Sequence, residues 1–166
     1  MADKPDSDFI CSRCKFSASQ DDTFCRNCGA LFTDTLVCFH HNSIAAIGVC
    51  VICSKPCCKE CGGDNNRVFL CDPHWQYELH EGLARVFGSI DNVQAQYVTT
   101  CLKQSGFHPF LYSRRFNPGS GMISTMVQAG IRNYGKYPIV ELKVLVPFSE
   151  VLDAERALKE LGIRDS

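Results

Sequence analysis

The sequence predicts an α+β protein in which small metal-clipped modules come first and an α+β sandwich follows. Three observations predict it. Ten of the twelve cysteines, with two histidines, fall in six pairs spaced by two residues, all between Cys11 and His74. Beyond His74 that pattern stops, and apolar alternation and helical stripes replace it. The length, 166 residues, suits one ordinary domain or two to three small ones.

A two-residue gap lets both side chains of a tight turn reach one metal ion. Twelve such ligands make three tetrahedral sites, the coordination zinc prefers. Cys38-x2-His41 and Cys71-x2-His74 each place histidine where the other pairs have cysteine, which argues for metal over disulfides. The expected cofactor is therefore three zinc ions.

Charge is nearly balanced, with 17 basic and 18 acidic residues. Zinc-bound cysteines are thiolates, so three loaded sites take the net charge from −1 to about −5. A strong general attraction for nucleic acid is not expected. Met1 to Asp8 is polar and acidic, without the basic and apolar regions of a secretory leader, and reads as a disordered arm over 1–8. No stretch approaches the roughly 20 apolar residues of a membrane span, so no membrane partner is expected. Many cysteines without an export signal point to a reducing, cytoplasmic setting.

Residues 9–37 form the first predicted module. Cys11-x2-Cys14 and Cys25-x2-Cys28 are ten residues apart, and Gly29 after the second pair supplies the positive φ that such turns use. Phe16, Phe24 and Phe32 are the expected apolar cover. The pattern resembles the short zinc ribbons found at the ends of many bacterial proteins. So short a segment depends on its metal for much of its folding energy. Four protein ligands leave no open coordination position, so catalysis at the ion is not expected.

Residues 38–82 form the second. Four residues separate the Cys50/Cys53 pair from Cys58/Cys61, with eight before and nine after. The spacing leaves interleaved and sequential division of the eight ligands open, although sequential pairing requires two chain reversals with little between the sites. The succession Cys-x2-His, Cys-x2-Cys, Cys-x2-Cys, Cys-x2-His resembles a B-box-type zinc finger, with small residues after the first pair (Ile44-Ala45-Ala46-Ile47). That resemblance implies the interleaved division. Cys38, His41, Cys58 and Cys61 then take one ion, and Cys50, Cys53, Cys71 and His74 the other. It also implies a protein-contact or spacing module. A ubiquitin-ligase RING usually carries its histidine in the second or third pair, which disfavours that reading. Cys57 departs from the pattern and competes with Cys58; the two-residue gap to Cys61 favours Cys58. His40 and His80 are expected at the surface. Trp75 and Tyr77 are expected to cover the second ion and to start a short helix over 75–81.

Residues 83–166 form the third. Ala84 to Phe87 is a strand candidate. Asp91 is an N-cap with Gln94 as capping-box partner, before a helix over 92–104 whose stripe is Val93, Tyr97, Val98, Cys101 and Leu102, ended by Gly106. Cys101 reads as a small core residue. Phe107 to Ser113 is a strand with Pro109 marking an edge or end. Ile123 to Val127 has room for a short strand. In Ile139 to Val146, Val140, Leu142, Val144 and Val146 face one way. Ser149 is expected to cap a helix with Val151, Ala154, Ala157, Leu158 and Leu161 on its stripe, ended by Gly162.

This order resembles a ferredoxin-like α+β sandwich. The Asp-x3-Ala-x5-Cys-Leu helix leading to Ser-Gly-Phe, and Val-Leu-Val-Pro before a helix with Ala154-Glu155 and Leu158, look like a small prokaryotic signal-transducing family related to PII-type regulators. The resemblance implies a sensory or regulatory role. Arg114, Arg115, Arg132 and Lys136 lie in a glycine-rich stretch without an acidic residue, a candidate site for a small anion such as a phosphate or nucleotide.

The functional expectation is a non-catalytic zinc-binding adaptor or regulatory protein that contacts a protein partner. No nucleophile–base–orienter set stands out. Nucleic-acid or ribosome-associated binding through the ribbon is the alternative, and a thiol-redox or ligase enzyme using Cys57 with Cys58 is a third reading.

Overall fold

The computed structural model describes residues 9–113 and 141–163 as a mixed α/β chain of small two-stranded sheets, one four-stranded sheet and two helices. The expected arm over 1–8, the strand candidate at Ile123 to Val127 and the basic stretch holding Arg114, Arg115, Arg132 and Lys136 lie outside the described residues.

Three two-stranded units carry the cysteine-rich half. Strands β1 (Phe9–Ile10) and β2 (Ser17–Ala18) pair around the first cysteine turn. β3 (Gly48–Val49) pairs with β4 (Pro56–Cys57) around the Cys50 turn. β5 (Gly62–Asn65) and β6 (Val68–Cys71) form a hairpin whose two-residue loop, Asn66-Arg67, has φ of 51° and 70°. Both central residues are left-handed, as the primed turn that matches strand twist requires.

The remaining strands build one antiparallel sheet in the order β7 (Leu79–His80), β8 (Leu83–Ser89), β10 (Leu142–Pro147), β9 (Phe110–Ser113). Helices α1 (Asn92–Gln104) and α2 (Val151–Glu160) touch each other and both pack on β8 and β10, so they share one face. In place of the helix expected over 75–81, a 3-10 turn covers Asp72–His74 and β7 follows. Glu81-Gly82, with φ of 40° and 87°, closes a tight β7–β8 hairpin. The expected division after residue 82 thus falls inside this hairpin, because Leu79 pairs with Ala84 and His80 with Leu83.

A β-bulge in β8 decides which side chains face the helices. Val144 pairs with Phe87 but Leu145 pairs with Arg85, so Val86 is the extra residue. Ala84, Phe87 and Ser89 therefore point inward with Val144 and Val146, whereas Arg85, Gly88, Lys143 and Leu145 point to the opposite face.

The N-cap of α1 is as expected: Asp91 Oδ1 accepts from Val93 N at 2.8 Å. The capping box is not direct. Asp91 N donates to Ser89 Oγ, and the Ser89 hydroxyl donates to Gln94 Oε1, so the bulge-directed Ser89 sits between the two. The buried stripe is Ala95, Val98 and Leu102, while Val93 and Tyr97 are exposed. The sheet lies one helical position away from where the largest apolar residues suggested. Ser149 does not cap α2. It sits in a 3-10 turn, and Glu150 at the N-cap turns its carboxylate to His108 instead, accepting from the backbone N at 2.8 Å. Val151, Ala154 and Leu158 are buried as expected, but Leu161 is exposed. Both helices end in a Schellman arrangement at Gly106 and Gly162: Phe107 N bonds Leu102 O, and Ile163 N bonds Leu158 O.

The opposite sheet face carries an ion-pair network over buried Leu145. Glu78 accepts from Lys143 Nζ and lies 3.6 Å from Arg85 Nη1, while Arg85 Nη2 is 2.7 Å from Glu141. His80 is not a free surface residue: its Nε2 is 3.1 Å from Glu78 and its ring lies 4.9 Å from that of Tyr112. Gly88 makes room for this network, since a Cβ there would sit 2.1 Å from the Arg85 guanidinium. Burial opposes ionisation of Glu78, but hydrogen bonds from Lys143 and His80 outweigh it and hold the carboxyl below its ordinary value. A depressed folded-state pKa adds stability that is complete above the ordinary carboxylate value and is lost as pH falls through the folded one. Denaturant unfolding at several pH values should therefore show Glu78→Gln less stable than wild type at neutral pH. The gap should close in acid.

The chain from Cys50 to Cys71 shares one core with the sheet, while Cys11, Cys25 and Cys28 form a small cluster of their own. Cys50, Val51, Ile52, Phe69 and Leu70 pack in the same buried cluster as Phe87, Val98, Leu102, Val144 and Leu158.

Candidate metal centres

Three of the six pairs adopt the same local structure. In each, the first cysteine N donates to the carbonyl five residues on: Cys11 to Phe16, Cys25 to Ala30 and Cys50 to Lys55, at 2.8–3.0 Å. The residue after the second cysteine donates back to the first cysteine carbonyl: Lys15 to Cys11, Gly29 to Cys25 and Ser54 to Cys50. Those residues have φ of 63°, 75° and 56°. The left-handed conformation costs non-glycine residues about 1 kcal/mol or more, and Lys15 and Ser54 accept it. Gly29 has a second reason to be glycine: a Cβ would lie 2.1 Å from Val49 O and 2.8 Å from Phe69 Cβ. Cys61, by contrast, closes a shorter turn on Cys58, and the 3-10 turn with Pro73 brings His74 back beside Cys71.

The twelve expected ligands converge in three groups, each with all its ligand atoms within 4.8 Å of one another: Cys11, Cys14, Cys25 and Cys28; Cys38, His41, Cys58 and Cys61; Cys50, Cys53, Cys71 and His74. The division of the central eight is interleaved. Cys11 and Cys28 sulfurs are 3.8 Å apart, and Cys14 and Cys25 3.5 Å. His41 Nδ1 lies 3.8, 3.4 and 3.3 Å from the sulfurs of Cys38, Cys58 and Cys61. His74 Nδ1 lies 3.4 Å from Cys50 and 3.1 Å from Cys71, and Cys53 and Cys71 are 3.8 Å apart. Ligands about 2.0–2.3 Å from a tetrahedral ion are separated by about 3.3–3.8 Å, so the spacings are compatible with one ion per group. None of the twelve cysteines is in a disulfide.

The electrostatics favour a cation in each group. Cys50 is drawn down to about 4 by hydrogen bonding with Cys53, helped by backbone donors and His74. Burial opposes ionisation of Cys38, yet the backbone N–H groups of Cys58, His40 and His41 bring it to about 6. Burial likewise opposes ionisation of Cys14, which Asn27 and the Phe16 backbone bring to about 7. Their neighbours move the other way: burial and the adjacent sulfurs push Cys61 up to about 12, and burial raises Cys28. In each group one thiol is drawn down while another is pushed up, Cys53 by Cys50 in the third, a conflict a divalent ion relieves.

Cys57 stands outside the groups. It is buried, its Sγ approaches Lys55 O at 3.5 Å, and burial pushes its thiol up to about 12. Cys101 is half-buried on α1, away from the ligands. Phe32, with Ala30, packs on the first group and meets Phe9 edge-on at 4.7 Å, whereas Phe16 is largely exposed. The Tyr77 ring covers His74 at 5.6 Å, and its hydroxyl donates to Glu155 on α2 at 2.7 Å. Trp75 lies over Gly63 instead.

Sequence reasoning missed two features that place these groups. Phe69 is the first. Its backbone N donates to Cys28 O, and its side chain fills the space beside Gly29, Gly48 and Gly62. The second is the Tyr77–Glu155 bond, which has no sequence signal because its partners are 78 residues apart. The Asn65-Asn66-Arg67 run before an apolar strand could have revealed the hairpin carrying Phe69.

The fold and the ligand geometry together define a mixed α/β chain with three four-ligand Cys/His centres. Compared with family models, curated proteins and solved structures, it matches none. Among the described residues no helix is long and apolar enough to cross a membrane.

Proposed function

We propose that the chain is a non-catalytic adaptor or regulatory protein in which each Cys/His centre holds a structural zinc ion. The observation that carries this reading is closure. Four protein atoms converge at each centre, so an ion of tetrahedral preference has no position left for water or substrate. The ions shape turns and join segments. Group one clips the two ribbon knuckles, and the two interleaved groups lock residues 38–74 as a B-box-like cross-brace.

The sheet with its two helices serves, in this reading, as a ferredoxin-like regulatory domain of the signal-transducing kind. Its strand order supports this, with β7 supplying the edge beside β8. A protein partner in the cytoplasm fits the net negative charge of the zinc-loaded chain and the low affinity for nucleic acid expected from it. A redox role for Cys57 with Cys58 is disfavoured by the raised pKa and burial of Cys57. A small anion remains the proposed ligand for Arg114, Arg115, Arg132 and Lys136.

Elemental analysis of the purified chain is expected to give about three zinc ions per molecule. One zinc per chain, or iron with a visible absorption band, would overturn the reading.

A further inference from the structure

Exposed apolar side chains concentrate around the Cys38–His41 turn. Val37, Phe39, Ile44 and Ile47 expose 47%, 53%, 40% and 55% of their surfaces. Val37 pairs with Ala45 in an antiparallel bridge, and Ala46 N bonds Leu36 O. The bridge sets Val37 beside Ala45, while Cys38 and Ala46 are buried. The patch is built on fixed backbone: Phe39 N donates to Pro56 O, and Ile47 N to Cys57 O. It hangs on β4, just before the ligand Cys58.

Apart from the Cys38/His41/Cys58/Cys61 group, the charged side chains between Thr35 and Lys59 are lysines. Thr35 to Lys59 contains Lys55 and Lys59 and no aspartate or glutamate; Asp34 and Glu60 lie just outside. Lys55 Nζ stands 4.1 Å above the Phe39 ring, and Lys59 is exposed. An apolar patch of this kind, rimmed by cations, matches apolar anchors flanked by carboxylates.

We propose that Val37, Phe39, Ile44 and Ile47, with Lys55 and Lys59, form the docking surface for an extended acidic-apolar peptide segment of a partner protein. This rests on the adaptor reading and names its contact face. Two lysines are too few for stable attraction to an anionic membrane, which takes a cluster of about four to eight basic residues. The acidic partner supplies what the patch lacks, and the preformed backbone spares the cost of ordering it.

The test pans phage-displayed random 12-residue peptides on the zinc-loaded full chain. Enriched peptides should combine Leu, Ile, Phe or Trp with Asp or Glu. A synthetic peptide of that kind should bind Phe39→Ser and Ile47→Ser at least tenfold more weakly and lose affinity for Lys55→Glu, with metal content and circular dichroism unchanged in the Ile47→Ser chain. Enrichment of basic or uncharged peptides overturns the proposal. Enriched peptides bound equally by both serine variants also overturn it but leave the adaptor reading standing, since the contact face then lies elsewhere. No enrichment on the wild-type chain overturns the proposal and leaves the adaptor reading standing, which the zinc analysis tests on its own. Binding to phosphatidylserine vesicles that Ile47→Ser abolishes would replace the peptide by a membrane.

Discussion

Cys58→Ser is expected to release one metal ion per chain and to unfold the segment around it, whereas Cys57→Ser is expected to keep all the metal. The two thiols are adjacent, equally buried and chemically alike, yet only the Cys58 sulfur approaches His41 Nδ1, at 3.4 Å. A structural zinc ion contributes on the order of 10 kcal/mol to folding, and removing one of four donors forfeits a large part of it. Because Cys57 pairs with Gly48 in the strand that leads into Cys58, the loss should spread through β3 and β4. Cys57→Ser instead exchanges a buried thiol for a smaller hydroxyl that can still donate to Lys55 O, at a cost of about 1–2 kcal/mol. Metal analysis with thermal unfolding of both variants decides it, and metal loss on Cys57→Ser alone would exchange their roles.

Phe69→Ala is expected to destabilise the chain by about 3–5 kcal/mol, the usual cost of emptying a buried aromatic site. Phe69 is fully buried and stands between three glycines from three segments: Gly29 after the Cys25–Cys28 turn, Gly48 of β3 and Gly62 of β5. A Cβ at Gly48 would lie 2.4 Å from its ring, so those glycines are there to admit it. Small glycines cannot move in to refill the space, which puts the expected loss at the upper end of the range. The ribbon should also loosen, since the Phe69 amide holds Cys28 O and Val49 N holds Gly29 O. Chemical denaturation measures the loss. Metal release from the Cys11 group at lower chelator concentration than in wild type measures the loosening.

How much was legible depends on the range of the signal. The α1 cap at Asp91, the glycine stops at Gly106 and Gly162 and the β10 strand are each encoded within a few residues and stand where the sequence predicts them, and the six Cys/His pairs converge in three groups. The α1 stripe was misread because Val93 and Tyr97 have helical spacing but the sheet lies against Ala95 and Val98. Ser149 was misread because a capping residue type does not fix where the helix begins once Glu150 is engaged with His108. The β7–β8 hairpin was overlooked because Leu79–His80 is a strand only through its pairing with Leu83–Ala84.

By itself the sequence determined which Cys/His pairs are candidate ligands, because coordination chemistry needs particular atoms at particular short spacings. It also determined the order of modules and the helix ends, which local backbone preference dictates. Only the tertiary structure decided how the central eight ligands divide, since spacing permits both divisions and convergence of the Cys58 and Cys61 sulfurs on His41 permits one. Only it decided that residues 50–71 and the sheet share one core and that Phe69 joins Gly29 to it. Phe69 and the Val86 bulge direct side chains across distances in the chain that no local pattern spans.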